Sequence, residues 1–406
     1  MTDGFIHLYE FPDYVRVSLD SEYLKELREA LRRTCKSSEL SCILNVSKRQ
    51  VRKYLSGSRS MSIEILKKIS EVLKKDFPKF DLQNIQPHVK GYGLMCKKCY
   101  IKNPILPIPE APYLGAVITH LFCDGSVGKD QARYFNICAE SIERFKKLLS
   151  NFGEVPVKGD GWSGTPCVDF PVVITKILAK KYRIPSFRSD VARIPDVLKN
   201  KPREWLIEML KAALIDEGAV GDDIYIGVKN KHLLSDIKEV AEKAGYTCGK
   251  ISCSGDICRF QIFVKNIQQL SMDLSPFPHP DKRKALEILR ERQRYGAGHM
   301  YEIGGSKRLI IGALLEGAKT VKELSEILKI SHGKVRLHLR QLERIGVIHI
   351  VKKIRKKGHP FLWGISDNVA ARALKLLIEG NREKSAKWFG LNVYKPRGGG
   401  SLWENL

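Results

Sequence analysis

Acidic residues are scarce for a chain of 406: 45 Asp and Glu stand against 70 Lys and Arg, a formal charge of +25 at pH 7. A surplus of that size repels itself unless something anionic offsets it, and nucleic acid is the usual polyanion. Long apolar runs are missing too. None approaches the ~20 residues that span a bilayer, so no membrane partner is expected. The opening MTDGFIHLYEFPDYVRV has acids where a secretory leader is basic. The expected location is the cytoplasm, in association with the nucleoid. Ten cysteines are too sparse for a disulfide-stapled secreted chain. Their one close pair is Cys96-Lys97-Lys98-Cys99, with no second CxxC or Cys/His pair at finger spacing. Two free thiols in a linker are the expectation, with a zinc site completed by distant residues, or a redox pair, as the alternatives.

A chain of this length is divided among several cores. Residues 1–78 read as a helical domain. Leu24, Leu27, Leu31 and Leu40 mark one apolar face, and Ser47 is placed to cap a second helix after the turn Asn45-Val46-Ser47. That arrangement suits a helix-turn-helix, whose second helix enters the major groove. Lys48, Arg49, Gln50, Arg52 and Lys53 are its candidate DNA contacts. The run LNVSKRQVRKYLSGSRSMS resembles the Cro and phage-repressor type. Residues 79–110, rich in Pro and Gly, read as the linker that holds the CxxC.

The central domain, 111–290, repeats itself. YLGAVITHLFCDGSVG and WLIEMLKAALIDEGAVG are both apolar helices ending in an acid, then Gly, a small residue, Val and Gly. Each is followed by a strand and an amphipathic helix, SIERFKKLLSNFG or KHLLSDIKEVAEKAGY, which gives halves 111–195 and 196–290. An acid at a helix C-terminus opposes the helix dipole. Its presence in both copies asks for a countercharge, and a divalent cation is the usual one. Helices packed side by side would bring Asp124 and Glu217 together, able to share Mg²⁺ or Mn²⁺. Gly115, Ala116, Thr119, Ala212 and Ala213 would allow the close approach.

These paired helices, with IPDVLKNKPREWLIEML between them and FPHPDKRKALEIL after, resemble the LAGLIDADG (DOD-type) homing endonucleases over about residues 111–290. The resemblance implies an α+β fold: a duplicated αββαββ pseudo-dimer core, here flanked by an all-α helix-turn-helix domain and a winged helix. It also implies metal-dependent hydrolysis of both strands at a long DNA site, with Asp124 and Glu217 as metal-binding acids. The family uses basic residues near its cleavage centre, and Lys158 and Lys250, each five residues after the matched Gly153 and Gly245, are symmetric candidates. Thr119, His120 and Cys123 depart from the family pattern. His120 reads as a packing or polar-interface residue rather than a base. Asp216 beside Glu217 is either a spare ligand or a solvated side chain.

Residues 291–366 read as three helices and a β-hairpin, a winged helix similar to archaeal and bacterial regulators. Lys334, Arg336 and Arg340 would lie on the recognition helix 331–345. Lys352, Lys353, Arg355, Lys356 and Lys357 would form a wing suited to phosphate. Residues 367–406 read as one more helix and a Gly-rich tail. A duplicated core removes the need to dimerise, so a monomer with an internal pseudo-twofold is expected. The termini lack the residues of an intein, which favours a free-standing protein. Three functions compete: a site-specific DNA endonuclease, a sequence-specific regulator with a silent core, and an RNA-binding protein.

Overall fold

In the computed structural model, Asp20 caps the helix Ser21–Thr34 by accepting the Tyr23 N–H at 2.7 Å, and Leu24, Leu27 and Leu31 turn inward. The described residues are 4–94, 100–159, 165–221, 223–263, 267–294, 305–344, 346–353 and 361–366. By contacts the chain divides into two compact units, Met1–Arg283 and Lys284–Leu406. This division falls inside the helix Pro280–Arg294 rather than at the expected boundary of 290.

Within the first unit, the helices Ser37–Ile43 and Lys48–Leu55 make the helix-turn-helix, and Ile63–Leu73 packs beside it. The all-α expectation for this domain is corrected. Arg16–Leu19 pairs with Met61–Ser62 on one side and Val89–Gly93 on the other, and Ile101–Lys102 completes a four-stranded antiparallel sheet. Val17, Leu19, Met61, Tyr92 and Ile101 bury the sheet's inner side chains. The expected linker 79–110 is corrected for the same reason: it supplies two of those strands and a third, Ile108–Pro109, that pairs with Phe5–Ile6. Cys96 and Cys99 lie outside the described residues.

The central region is built on two largely apolar helices, Pro112–Cys123 and Arg203–Glu217, which are buried along almost their whole length. After the first come antiparallel strands Gly125–Val127, Gln131–Phe135 and Cys167–Pro171, with the helix Ala139–Leu149 between the last two. Following the second are Gly218–Val220, Ile224–Val228, the helix Lys231–Lys243, then Ser252–Ser254 and Ile257–Ile262 in one four-stranded sheet. The same order of elements therefore recurs, with one difference. In the first half, the strand expected opposite Cys167–Pro171 is reduced, among the described residues, to a single bridge between Lys158 and Asp169.

The second sheet holds a feature absent from the sequence reading. Cys253 and Cys258 face each other across a hairpin and form a disulfide.

The second unit contains the helices Gly305–Leu315, Val321–Leu328 and His332–Arg344 and the strands Lys319–Thr320, Ile348–Lys353 and Phe361–Ile365. Ile310, Leu324, Val335, Leu339 and Leu342 form its core under Trp363. This is the expected three helices and hairpin. Arg355, Lys356 and Lys357 and the tail helix lie outside the described residues. Among the described residues, no helix is long and apolar enough to cross a membrane.

Candidate active site and nucleic-acid interface

Gly115 brings the two buried helices together. A Cβ there would lie 2.8 Å from Met209 Cγ and 3.3 Å from Trp205 Cε3. At the far ends the chain turns out of both helices in the same way. A Cβ on Gly125 would stand 2.3 Å from the Leu121 carbonyl oxygen, and one on Gly218 would stand 2.4 Å from that of Leu214. Only glycine lets the first strand fold back so closely, which explains the Asp-Gly and Glu-Gly pairs.

The turns leave Asp124 and Glu217 partly exposed beneath the helices. Burial, then the charge of Asp216, pushes Asp124 up to about 7, while His120 and Lys282 oppose the rise. Glu217 is pushed up to about 8 by burial, then by the charges of Asp124 and Asp216, against Lys282. The two acids thus share one electrostatic site. Excess negative charge in a half-buried pocket is the condition a divalent cation relieves. Among the described residues there is no group of three or more His, Cys, Asp or Glu that could hold a metal.

Lys282 is the basic residue the structure brings to the acids. Its ammonium donates to the carbonyls of Leu214 at 3.0 Å and Ile215 at 2.6 Å, capping the second helix's last turn. Burial lowers its pKa, while Asp216, Asp124 and Glu217 hold it up. The symmetric lysine pair expected from spacing is not a pair by register. Lys158 stands opposite Asp169, which faces Arg133. In the second half Gln261 takes that place opposite Tyr225, and its carbonyl receives the N–H of Gly249, at 2.7 Å, rather than that of Lys250. One residue of slip separates the two lysines.

Asp216 is neither spare ligand nor solvated. Its side chain is 0% exposed. One oxygen accepts from Tyr134 at 2.7 Å and Asn136 at 3.3 Å, and the other from His120 Nδ1 at 2.8 Å. Burial raises its pKa well above the carboxylate range, and the Tyr134 hydrogen bond, the charges of Lys282 and Arg144 and the Asn136 hydrogen bond oppose the rise. Burial and the charge of Arg144 hold His120 neutral. Its Nδ1–H then faces Asp216 and its Nε2 accepts from Arg144 at 2.9 Å. Arg144 also pairs with Glu208, and Lys211 lies 3.5 Å from the same carboxylate. A buried polar chain therefore crosses from one half to the other directly above the acids. His120 is the polar-interface residue expected of it.

The nucleic-acid modules are simpler. Ser47 and Gln50 form a reciprocal cap: Gln50 N–H donates to Ser47 Oγ, and Ser47 N–H to Gln50 Oε1, each at 3.2 Å. Gln50 is therefore occupied in holding the helix start. Lys48, Arg49, Arg52 and Lys53 are exposed while Val51 and Tyr54 are buried, so the basic residues occupy the outward face. In the second unit Lys334, Arg336 and Arg340 are exposed on the third helix and Lys352 on the hairpin, which also carries Lys353.

The family model described as "Helix-turn-helix" matches residues 24–80, and that of "Bacterial regulatory protein, arsR family" matches 305–349. The chain therefore carries two helix-turn-helix domains of DNA-binding type. No curated protein sequence matches the chain. Among solved structures, I-DmoI in complex with DNA and Mn is similar at 10% identity, covering 40% of this chain and 97% of its own, with a TM-score of 0.31. Full-length DUF199/WhiA from Thermatoga maritima is 11% identical, covering 58% and 90%, with a TM-score of 0.31. The homing endonuclease I-WcaI bound to its DNA recognition sequence is 11% identical, covering 43% and 86%, at 0.32. Scores this low carry no weight for fold or activity.

Proposed function

We propose that this protein binds double-stranded DNA at a specific site, and that its central region hydrolyses a phosphodiester of each strand with Mg²⁺ or Mn²⁺ held by Asp124 and Glu217. The central region is read as two diverged copies of one unit about a pseudo-twofold axis, which a monomer already contains. The observation that carries the reading is the matched pair of partly exposed carboxylates, each pushed up by burial, with Glu217 raised further by the charge of Asp124. A divalent ion there would supply a water of lowered pKa and a countercharge for the leaving oxygen. The chain's own contribution is placement. Gly125 and Gly218 deliver the acids, Lys282 anchors the carbonyls behind Glu217, and the Asp216–His120–Arg144 chain fixes the facing of the two helices. The basic helices of the two helix-turn-helix domains add phosphate and base contacts outside the cleavage centre.

A second reading, a sequence-specific regulator that binds without cutting, is favoured by one observation. Lys282 already places a positive charge among the three carboxylates. One experiment separates the two. Purified protein is incubated with a plasmid library in Mg²⁺ or Mn²⁺, and Asp124→Asn and Glu217→Gln are run beside it. Cleavage at rare sites, lost in both variants while binding persists, supports the nuclease. A protein that selects particular duplexes and cuts none of them is the regulator. Affinity for DNA that does not fall steeply with salt would remove both.

A further inference from the structure

Glu110 lies two residues before the first buried central helix, and its side chain is 5% exposed. Lys201, two residues before the second, donates to its Oε1 at 2.5 Å, and the Tyr182 hydroxyl donates to the same oxygen at 3.2 Å. Lys181 stands 3.5 Å from the other oxygen. From the same helix, Val173–Tyr182, Lys181 donates to Glu10 at 2.7 Å and Lys180 to the Phe11 carbonyl at 2.8 Å. One buried carboxylate therefore ties the starts of both central helices to a helix that grips the N-terminal segment.

A second seam runs along the edge of the N-terminal sheet. Lys102 and Glu154 exchange backbone hydrogen bonds of 3.1 and 2.8 Å, and Ile105 N–H donates to Phe152. Between those acceptors sits Gly153, with φ +122. A Cβ there would stand 2.7 Å from Pro104 Cα and 2.9 Å from the carbonyl oxygens of Lys102 and Asn103. The matched Gly245 has φ +97 and nothing within 4 Å of its Cβ position. The same turn glycine seats the N-terminal domain in one half and faces open space in the other. The helix-turn-helix is joined to this frame directly, since Ile63 N–H bonds the Val15 carbonyl at 2.8 Å and Glu64 N–H bonds that of Asp13 at 3.1 Å.

From this we infer that the N-terminal helix-turn-helix and the central region read one composite duplex site at a fixed spacing and fixed helical phase, with Glu110 and Gly153 as positioning residues. The inference rests on the proposed DNA binding and not on cleavage. Two readers on one rigid frame must each meet their own base edges. Inserting ~5 bp between their elements turns one of them to the opposite face, and ~10 bp restores the face but moves the element by ~34 Å. A hinged connection would absorb either change, whereas paired backbones and a buried, ion-paired carboxylate would not.

The test uses the full chain and a duplex selected from a random pool, with EDTA present to prevent cutting. The part of its footprint lost in an Arg49→Ala/Arg52→Ala variant marks the helix-turn-helix element. Insertions of 5 and 10 bp at that boundary should each lower affinity on the order of a hundredfold, to the level of a duplex with that element scrambled. Gly153→Ala should weaken binding to the natural spacing more than about tenfold, and Gly245→Ala, strained by its own positive φ but meeting no neighbour, should weaken it less. Glu110→Gln should reduce the penalty of the insertions, because the frame then gives. Unchanged affinity after either insertion, or a footprint that the arginine variant leaves intact, overturns the inference alone. A protein that selects no duplex overturns the DNA-binding reading and this inference with it.

Discussion

Replacing Asp124 by Asn should make the metal-free protein more stable, and only above about pH 5. The native state holds this carboxyl at about 7 against an ordinary 3.8, because it is half-buried and faces Asp216. A raised acid is protonated more readily folded than unfolded. The folded state therefore carries a penalty that begins above the unfolded pKa and is complete above the folded one. A rise from 3.8 to about 7 corresponds to ~4 kcal/mol at full value. Part of the side chain meets water, so about half of that, ~2 kcal/mol, is the expected gain for the neutral isostere at pH 8. For a unit of this size, that is ~5 °C in Tm. The gain should shrink towards zero as pH falls to 4, where the wild-type carboxyl is protonated in the native state. Scanning calorimetry in EDTA at pH 4.5 and pH 8 reads both ends. Mg²⁺ should then stabilise the wild type at pH 8 and leave Asp124→Asn unmoved, since a ligand raises Tm when it binds the native state in preference to the unfolded one. An Asn variant no more stable than wild type at pH 8 would show that the site is already neutralised, and the case for divalent-ion binding there would fall with it.

His120→Ala should destabilise by about 3 kcal/mol in urea titrations, because Asp216 and Arg144 each lose a buried partner and a cavity opens. Gly218→Ala should cost about 2 kcal/mol or more, since its Cβ would sit 2.4 Å from a carbonyl oxygen of the preceding helical turn. Arg49→Ala should weaken DNA binding and lower the slope of log K against log salt by about 1, measured by fluorescence anisotropy between 50 and 200 mM salt. Gln50→Ala should act mainly through helix stability, about 1 kcal/mol, because its amide closes the Ser47 cap.

What could be read from residues alone follows from how much each signal repeats. The two central helices are mostly apolar and end in an acid and a glycine, and a pattern that long leaves few alternatives. The three helices and hairpin of the second unit announced themselves through period and turn chemistry. The N-terminal sheet did not, because its strands are two to five residues long, too short for alternation to stand out. Lys282 was invisible for another reason: it sits in the charged stretch DKRKALEIL, which reads as a solvated helix, and only tertiary folding carries it to the end of the Arg203–Glu217 helix. The Cys253–Cys258 bond depends on register across a hairpin, which spacing alone does not supply.

The buried polar chain had a signal that spacing rules overlooked. His120, Glu208, Lys211 and Asp216 interrupt two otherwise apolar helices, and residues so costly to bury persist only when they meet one another. Their arrangement also bears on the proposed duplication. Two identical helices packed about a twofold axis would make every contact away from the axis twice, each pair in duplicate. Here the positions matched to His120 and Asp216 are Ala213 and Cys123, so each polar residue appears in one copy only and meets its complement from the other. Such a chain adds little net stability over apolar packing, but it rejects any slip of one helix against its partner. A slip of a single turn would part His120 from Asp216 and carry Asp124 away from Glu217 in the same movement.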